Sequence, residues 1–168
     1  MSELQENFEI LAEQQQALEY RSQKDRYVGD IDPVTKLRHG FGIYTYQENP
    51  YFQYQGAYDN GIKQSSETSV SSMIMRDGSK YSGDFKDGEI TGVGLKTWAN
   101  GKIYKGEFLE GEMHGNGVLV YNESKVQKDQ KYEGQFHLNS REGKGVLTKK
   151  NGDVYDGSFS GNHPNGPI

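Results

Sequence analysis

The sequence predicts an all-β protein in which β-hairpins stack side by side into an elongated single-layer antiparallel sheet, with an α-helix at the N-terminus. Three observations carry the prediction of the sheet. One pattern, Tyr-x-Gly-x-Phe followed by spaced glycines, recurs along most of the chain. Its Tyr, Gly and Phe alternate with polar residues, and a period of two is typical of a strand with one solvated face. Gly and Asn-Gly, which favour tight turns, separate the strands.

The pattern is most complete at residues 104–117, which read YKGEFLEGEMHGNG. Self-similarity of this kind marks a repeat array. The steps between successive starts are 27, 27, 23, 28 and 23 residues, so the basic period is 23 and the extra residues are expected in loops. The starts are Tyr27, Tyr54, Tyr81, Tyr104, Tyr132 and Tyr155.

These starts define an array of about six units over residues 25–168, two of which are irregular. The second has a Ser-rich stretch at 65–72 instead of its Gly-x-Gly, which predicts a disturbed repeat or a flexible loop. The sixth keeps its first strand, but only two residues follow Asn165-Gly166. Either another segment covers its edge or the chain is a fragment, and an uncovered edge favours self-association.

Residues 1–24 form a separate segment, within which residues 2–22 are predicted to be helical. They contain no Gly or Pro, and Leu4, Phe8, Leu11 and Leu18 fall on one stripe. We interpret this helix as a cap on the first repeat, because the ends of repeat arrays need covering. The alternative is a helix that binds a partner.

The composition excludes several classes of protein. Apolar residues make up 32%, but 12 Tyr and 7 Phe can still form a thin aromatic core. The net charge of −5 gives no basic field for nucleic acid. There is no cysteine, which fits a reducing compartment. No apolar run reaches the length of a membrane span, and we expect a soluble intracellular protein.

No residue pattern indicates catalysis, a cofactor or a metal. The glycines recur with the repeat, so turn geometry explains them better than a phosphate-binding loop does. Carboxylates such as Asp84, Glu107 and Glu133 alternate with the aromatics and are expected to face solvent. The four histidines fall in different units and do not form a ligand cluster. They are His39, His114, His137 and His163.

The recurring pattern resembles the MORN repeat (membrane occupation and recognition nexus), YxGxFxxGxxxGxG followed by a short strand. The resemblance covers residues 27–166 and is looser over 27–67. It implies an elongated sheet that serves as a scaffold, adaptor or dimerisation module. Members of the family occur in cilia, flagella, basal complexes and membrane junctions. Some carry a catalytic domain, and phosphoinositide binding is described for part of the family.

A single layer cannot bury both of its faces, so part of the aromatic face is expected to contact a protein partner. We expect this partner to be a peptide or a helix, and the chain's own N-terminal helix is one candidate. We expect the rings of this face to form mainly core, with some of them partly exposed in a groove. They are Tyr81, Phe85, Trp98, Tyr104, Phe108, Tyr121, Tyr132, Phe136, Tyr155 and Phe159. We therefore predict a non-catalytic scaffold, cytoskeletal or ciliary. One alternative is a phosphoinositide-binding adaptor that uses Lys125, Lys128 and Lys131. The other is a regulatory fragment of an enzyme.

Overall fold

The described part of the computed structural model comprises residues 19–21, 25–67, 69–122 and 128–166, and all of its strands join one antiparallel sheet. Neighbours in the sheet follow chain order, except that β5 pairs with β4 beside the main path. No helix that could span a membrane occurs among these residues. The strands are β1 (Glu19–Arg21), β2 (Arg26–Ile31), β3 (Arg38–Thr45), β4 (Tyr51–Asp59), β5 (Ile62–Gln64), β6 (Ser71–Met75), β7 (Lys80–Lys86), β8 (Glu89–Thr97), β9 (Ile103–Leu109), β10 (Glu112–Val120), β11 (Asp129–His137), β12 (Ser140–Lys149), β13 (Val154–Ser160) and β14 (His163–Pro164).

The prediction of an all-β antiparallel sheet is confirmed. The prediction of an N-terminal helix over residues 2–22 is wrong at the C-terminal end of that range. Residues 19–21 form β1, which pairs with β2 in the register Tyr20↔Tyr27. The outer edge of β2 offers backbone hydrogen-bonding groups, and satisfying them in a ladder outweighs the helical preference of three residues. The remainder of the predicted helix lies outside the described residues.

A row of glycines crosses the sheet at right angles to the strands. Gly106 is opposite Gly117 across β9 and β10, and Gly117 is opposite Gly134 across β10 and β11. The ring of Tyr104 lies over this row, so a Cβ added at Gly117 would collide with it. The row consists of Gly29, Gly42, Gly56, Ser71, Gly83, Gly94, Gly106, Gly117, Gly134, Gly145 and Gly157.

The core is a ladder of edge-to-face rings that joins each repeat to the next. Tyr104 packs on Phe108 of its own strand at a centroid distance of 5.1 Å, and on Phe136 of the following repeat at 5.0 Å. Its hydroxyl donates to the carbonyl of Glu107 at 2.9 Å, so the buried phenol keeps a hydrogen bond. Because every link involves adjacent units, the stability has nearest-neighbour character.

A β-bulge bends most of the second strands, and a side chain of the preceding strand closes it. At Gly115, with φ +56°, the register of β10 against β9 shifts. The carboxylate of Glu107 accepts a hydrogen bond from the backbone N–H of Asn116 at 2.8 Å. Asp84 accepts one from Val93 in the same way, at 2.8 Å. Glu107 is exposed, as expected, and Asp84 is half-buried. In addition to contacting solvent, each carboxylate accepts the N–H that the bulge turns toward it.

We expect Glu107→Ala to lower the free energy of unfolding by about 1.5 kcal/mol, because it leaves the bulge N–H without its charged acceptor. Glu107→Gln should cost much less, since Gln135 accepts the equivalent bond from Lys144 in the next repeat. Urea unfolding followed by circular dichroism measures both. The control is Glu133→Ala, which removes only an exposed ion pair with Lys131 and should change stability by less than about 0.5 kcal/mol. Equal losses for Glu107→Ala and Glu133→Ala would contradict the assigned role.

The irregular second repeat keeps its second strand, but in two pieces. β5 and β6 both pair with β4, and the described residues 65–67 and 69–70 lie between them, where other repeats have the bulge. Ser71 takes the glycine position in the row, and Tyr54 donates from its hydroxyl to Ser71 Oγ at 3.1 Å. The step from Tyr54 to Tyr81 is four residues longer than the period of 23, and the extra length falls between β5 and β6. The ring ladder continues into the next repeat, because Tyr54 packs on Phe85.

Candidate interaction surface

Seven of the ten aromatics of the predicted face lie in the core, in agreement with the expectation that most of these rings are buried. Each is at most 4% exposed, because its ring is enclosed by the glycine row and by neighbouring rings. These are Tyr81, Phe85, Tyr104, Phe108, Tyr132, Phe136 and Phe159. The other three, Trp98, Tyr121 and Tyr155, are half-buried and pack against that core. Of the ten predicted aromatics, only these three present substantial ring surface to a partner.

One side of the ring ladder is closed by a set of residues that we call the cover row. Each member is the first or second residue of a second strand, and its carbonyl accepts a backbone hydrogen bond from the hairpin tip of the next repeat, as Met113 does from Asn139 at 2.9 Å. The apolar members Ile90 and Met113 are 8% and 5% exposed. The cover row is Arg38, Lys63, Ile90, Met113 and Arg141.

The charged members of the cover row lie over aromatic faces. The guanidinium carbon of Arg38 is 4.8 Å from the ring centroid of Tyr44, and that of Arg141 is 5.4 Å from Phe159. Burial lowers the pKa of Lys63, whose Nζ is 5.7 Å from the Tyr54 ring. Sequence reasoning missed these cation–π contacts, although aligning the repeats reveals that basic and apolar residues share one position.

The other side of the ladder ends in a half-buried set that we call the outer row. Each member follows or ends a second strand, and its N–H donates to a carbonyl across the turn to the next repeat, as Trp98 does to Lys102 at 2.9 Å. The outer row is Tyr46, Met75, Trp98, Tyr121 and Lys149. Its first four members pack against the core from the same face, so this row is the accessible margin of the aromatic face.

Trp98 is the outer-row residue whose ring carries two cation–π contacts. The Nζ atoms of Lys102 and Lys96 lie 3.8 and 5.1 Å from its ring centroid. Burial, and then the positive charge of Lys96, lowers the pKa of Lys102. Two cations held close together on one indole ring create a site that favours a negatively charged group.

The tyrosines of this margin are not poised for acid–base chemistry. Burial raises the pKa of Tyr46 to about 12, and it also raises the pKa of Tyr121. Both phenols therefore stay neutral near pH 7 and can serve as hydrogen-bond donors. The described residues contain no group of three or more His, Asp or Glu side chains that could hold a metal ion.

The opposite face of the sheet carries a shallow, open groove of about 510 Å³ above the glycine row. Its margins are mixed in polarity and consist of Asn116, Val118, Glu133, Lys144, Val146 and Asp156. Glu133 is paired with Lys131 at 2.7 Å. Among the described residues that line this groove, no nucleophile lies beside a base.

An open sheet of stacked hairpins, joined by a ladder of rings from one repeat to the next, defines a β-repeat protein. The chain is a MORN-repeat protein: the family model described as "MORN repeat" matches residues 36–49, 81–103, 104–124 and 132–154. The second repeat, whose bulge is replaced by the loop at 65–70, falls outside the matched segments. A comparison with curated proteins finds no match.

Proposed function

We propose that this protein is a non-catalytic scaffold or adaptor that binds a protein partner along the outer row. The observation that carries the proposal is the alignment of Tyr46, Met75, Trp98 and Tyr121, one from each of four successive repeats, half-buried on the same face. Aromatic and Met side chains are enriched at the centres of protein interfaces. MORN repeats are consistent with a role in protein interaction or membrane association.

The spacing of the outer row favours an amphipathic helix as the partner. Equivalent residues of adjacent repeats are two strands apart, which corresponds to about 9.5 Å. A helix advances about 10.5 Å in seven residues, so apolar residues at i and i+7 can contact successive repeats. Lys96 and Lys102 beside Trp98 favour carboxylates next to that apolar stripe. Residues 2–18 of this chain have these features, with Leu at 4, 11 and 18 and several Glu between them.

The proposal is tested by affinity capture with the full chain and two matched variants. Trp98→Ala truncates the outer row, and Ile103→Ala truncates an exposed residue of β9. If the outer row is the binding surface, Trp98→Ala should lower the affinity for the captured partner by about 30-fold, as expected for a central aromatic anchor. Ile103→Ala should leave the affinity within about threefold. A partner whose affinity is the same for wild type and Trp98→Ala would rule out this surface.

Membrane association is tested in parallel by flotation with phosphoinositide-containing vesicles. Of the three lysines proposed for lipid contact, Lys131 is paired with Glu133 at 2.7 Å. Lys125 lies outside the described residues. Salt-sensitive flotation with a wild-type response to Trp98→Ala would favour a lipid adaptor over the scaffold. Co-purification of a catalytic subunit would instead favour the regulatory role.

We further propose that the scaffold acts in the cytoplasm, at the cytoskeleton or in the cilium. Residues 40–61 and 85–94 are similar to MORN repeat-containing protein one, and the occurrence of MORN-repeat proteins in cilia, flagella and basal complexes supports this location. Fluorescence microscopy of the tagged full chain, alongside markers of microtubules and cilia, checks the location. A uniformly secreted or nuclear protein would contradict it.

A further inference from the structure

Two histidines from different repeats are neighbours on the face of the sheet opposite the ring ladder. His114 belongs to β10 and His137 to β11, and they lie one step beyond the paired residues Gly115 and Phe136. Their ring centroids are 5.2 Å apart and the rings are inclined by 56°. His114 is half-buried and His137 is exposed. The 23 residues that separate them in the chain had concealed this pair from sequence reasoning.

The separation of the two rings matches that of imidazoles bound to one ion. Two imidazoles on a tetrahedral ion, with zinc–nitrogen bonds of about 2.0–2.1 Å and an angle of about 109°, have ring centres about 5.2 Å apart. The observed distance is 5.2 Å. The rings can therefore serve one ion without any movement of the strands that carry them.

A buried nitrogen of the pair lacks a hydrogen-bond partner. Nδ1 of His114 is inaccessible to solvent and has no donor or acceptor within hydrogen-bonding distance. Buried polar atoms are nearly always satisfied, and an orphaned one calls for a missing water or ion. An ion bound to Nδ1 would supply the partner that the described residues do not.

The equivalent position at the junction of β3 with β4, three junctions earlier, behaves differently. There His39 of β3 faces Asp59 of β4, with Nδ1 and Oδ1 3.4 Å apart, and the imidazole already has a partner. The repeat therefore brings these two positions together at each junction, and only the junction of β10 with β11 places imidazoles at both among the described residues.

We propose that His114 and His137 form a binding site for a divalent transition-metal ion of the zinc class. Neutral imidazole is a preferred ligand of Zn²⁺, Ni²⁺ and Cu²⁺. The two side chains supply two ligands, and water occupies the other positions of the ion. The site lies on the opposite face from the outer row, so metal binding and partner binding are separate properties of the molecule.

The test is titration of the untagged full chain with ZnCl₂, followed by calorimetry and by the imidazole signals in a proton–nitrogen NMR spectrum. We expect one ion per chain, with signals of His114 and His137 shifting together. His137→Gln, at an exposed position, should abolish saturable binding and leave the circular dichroism spectrum unchanged. His114→Gln should do the same to binding.

His39→Gln and His163→Gln are the matched controls, and both should bind zinc like the wild type. The proposal is overturned if the wild type shows no saturable binding. It is equally overturned if His137→Gln retains full affinity, or if zinc shifts only the signals of His39 or His163. Because the NMR readout uses the wild-type chain, it remains decisive even if His114→Gln does not fold.

Discussion

Replacing Gly117 by Ala is expected to lower the free energy of unfolding by about 3 kcal/mol, the upper range for overpacking a tight site. The backbone of Gly117 has no positive φ, so an L residue adopts its conformation without strain. The cost arises from space alone, because an added Cβ would collide with the Tyr104 ring. That ring cannot move aside, since Phe108 and Phe136 pack on it from two repeats. Urea unfolding measures the loss.

The matched control is Gly111→Ala in the hairpin tip of the same repeat. Gly111 has φ +85°, and nothing lies within 4 Å of an added Cβ. Its substitution should cost about 1 kcal/mol through backbone conformation only. A Gly117→Ala loss no larger than that of Gly111→Ala would show that the ring does not depend on the glycine row. Combining Tyr104→Ala with Gly117→Ala should recover part of the steric cost, because the two residues are coupled through one contact.

Truncating Phe108 to Ala should destabilise the protein by about 3–5 kcal/mol, the usual range for a buried phenylalanine. Phe108 is 4% exposed and packs edge-to-face on Tyr81 and Tyr104, both at 5.1 Å. Its removal leaves a cavity and also breaks the ring contact between the third and fourth repeats. We expect the unfolding transition to broaden as well, because the two halves of the array lose part of their coupling. Circular dichroism in urea reports both effects.

Leu109→Ala provides the comparison, since Leu109 is adjacent in β9 but 39% exposed. The Leu109→Ala substitution should lower the free energy of unfolding by less than about 1 kcal/mol. Similar costs at the two positions would contradict a core built on the ring ladder. The result also matters for binding experiments. Polar substitutions at Phe108 or Phe136 unfold the array, so partner loss in such variants does not locate a surface, whereas Trp98→Ala alters the margin.

Most of the architecture could be predicted from the sequence because the relevant physics is local. The alternation at Tyr104, Gly106 and Phe108 determines which residues share a face, and Gly111 marks the tip of the hairpin. The sequence did not reveal where the backbone departs from that alternation. The bulge at Gly115 turns the N–H of Asn116 toward Glu107, so this exposed carboxylate also stabilises the bulge. At residues 19–21, helical preference yielded to the open edge of β2.

The candidate surface was predictable only in part. Aromatic positions are visible in the sequence, but their exposure depends on what lies above them. Lys63 and Arg141 of the cover row lie over Phe85, Tyr132 and Phe159 of the predicted aromatic face, whereas Trp98 and Tyr121 are half-buried at its margin. The partner and the cellular location remain predictions.

By itself the sequence determined the repeat, its period of 23, the strand faces and the positions of the turns, because these follow from spacing within one unit. Only the tertiary structure decided which rings are covered, which carboxylates close the bulges, and that His114 and His137 meet. The contact between Glu107 and Asn116 forms across one hairpin, where the bulge shifts the register away from simple alternation. The histidine pair forms between units, where strand register sets residues 23 apart in the chain opposite each other. Spacing along the chain encodes neither the bulge nor the register, so the sequence alone did not reveal these contacts.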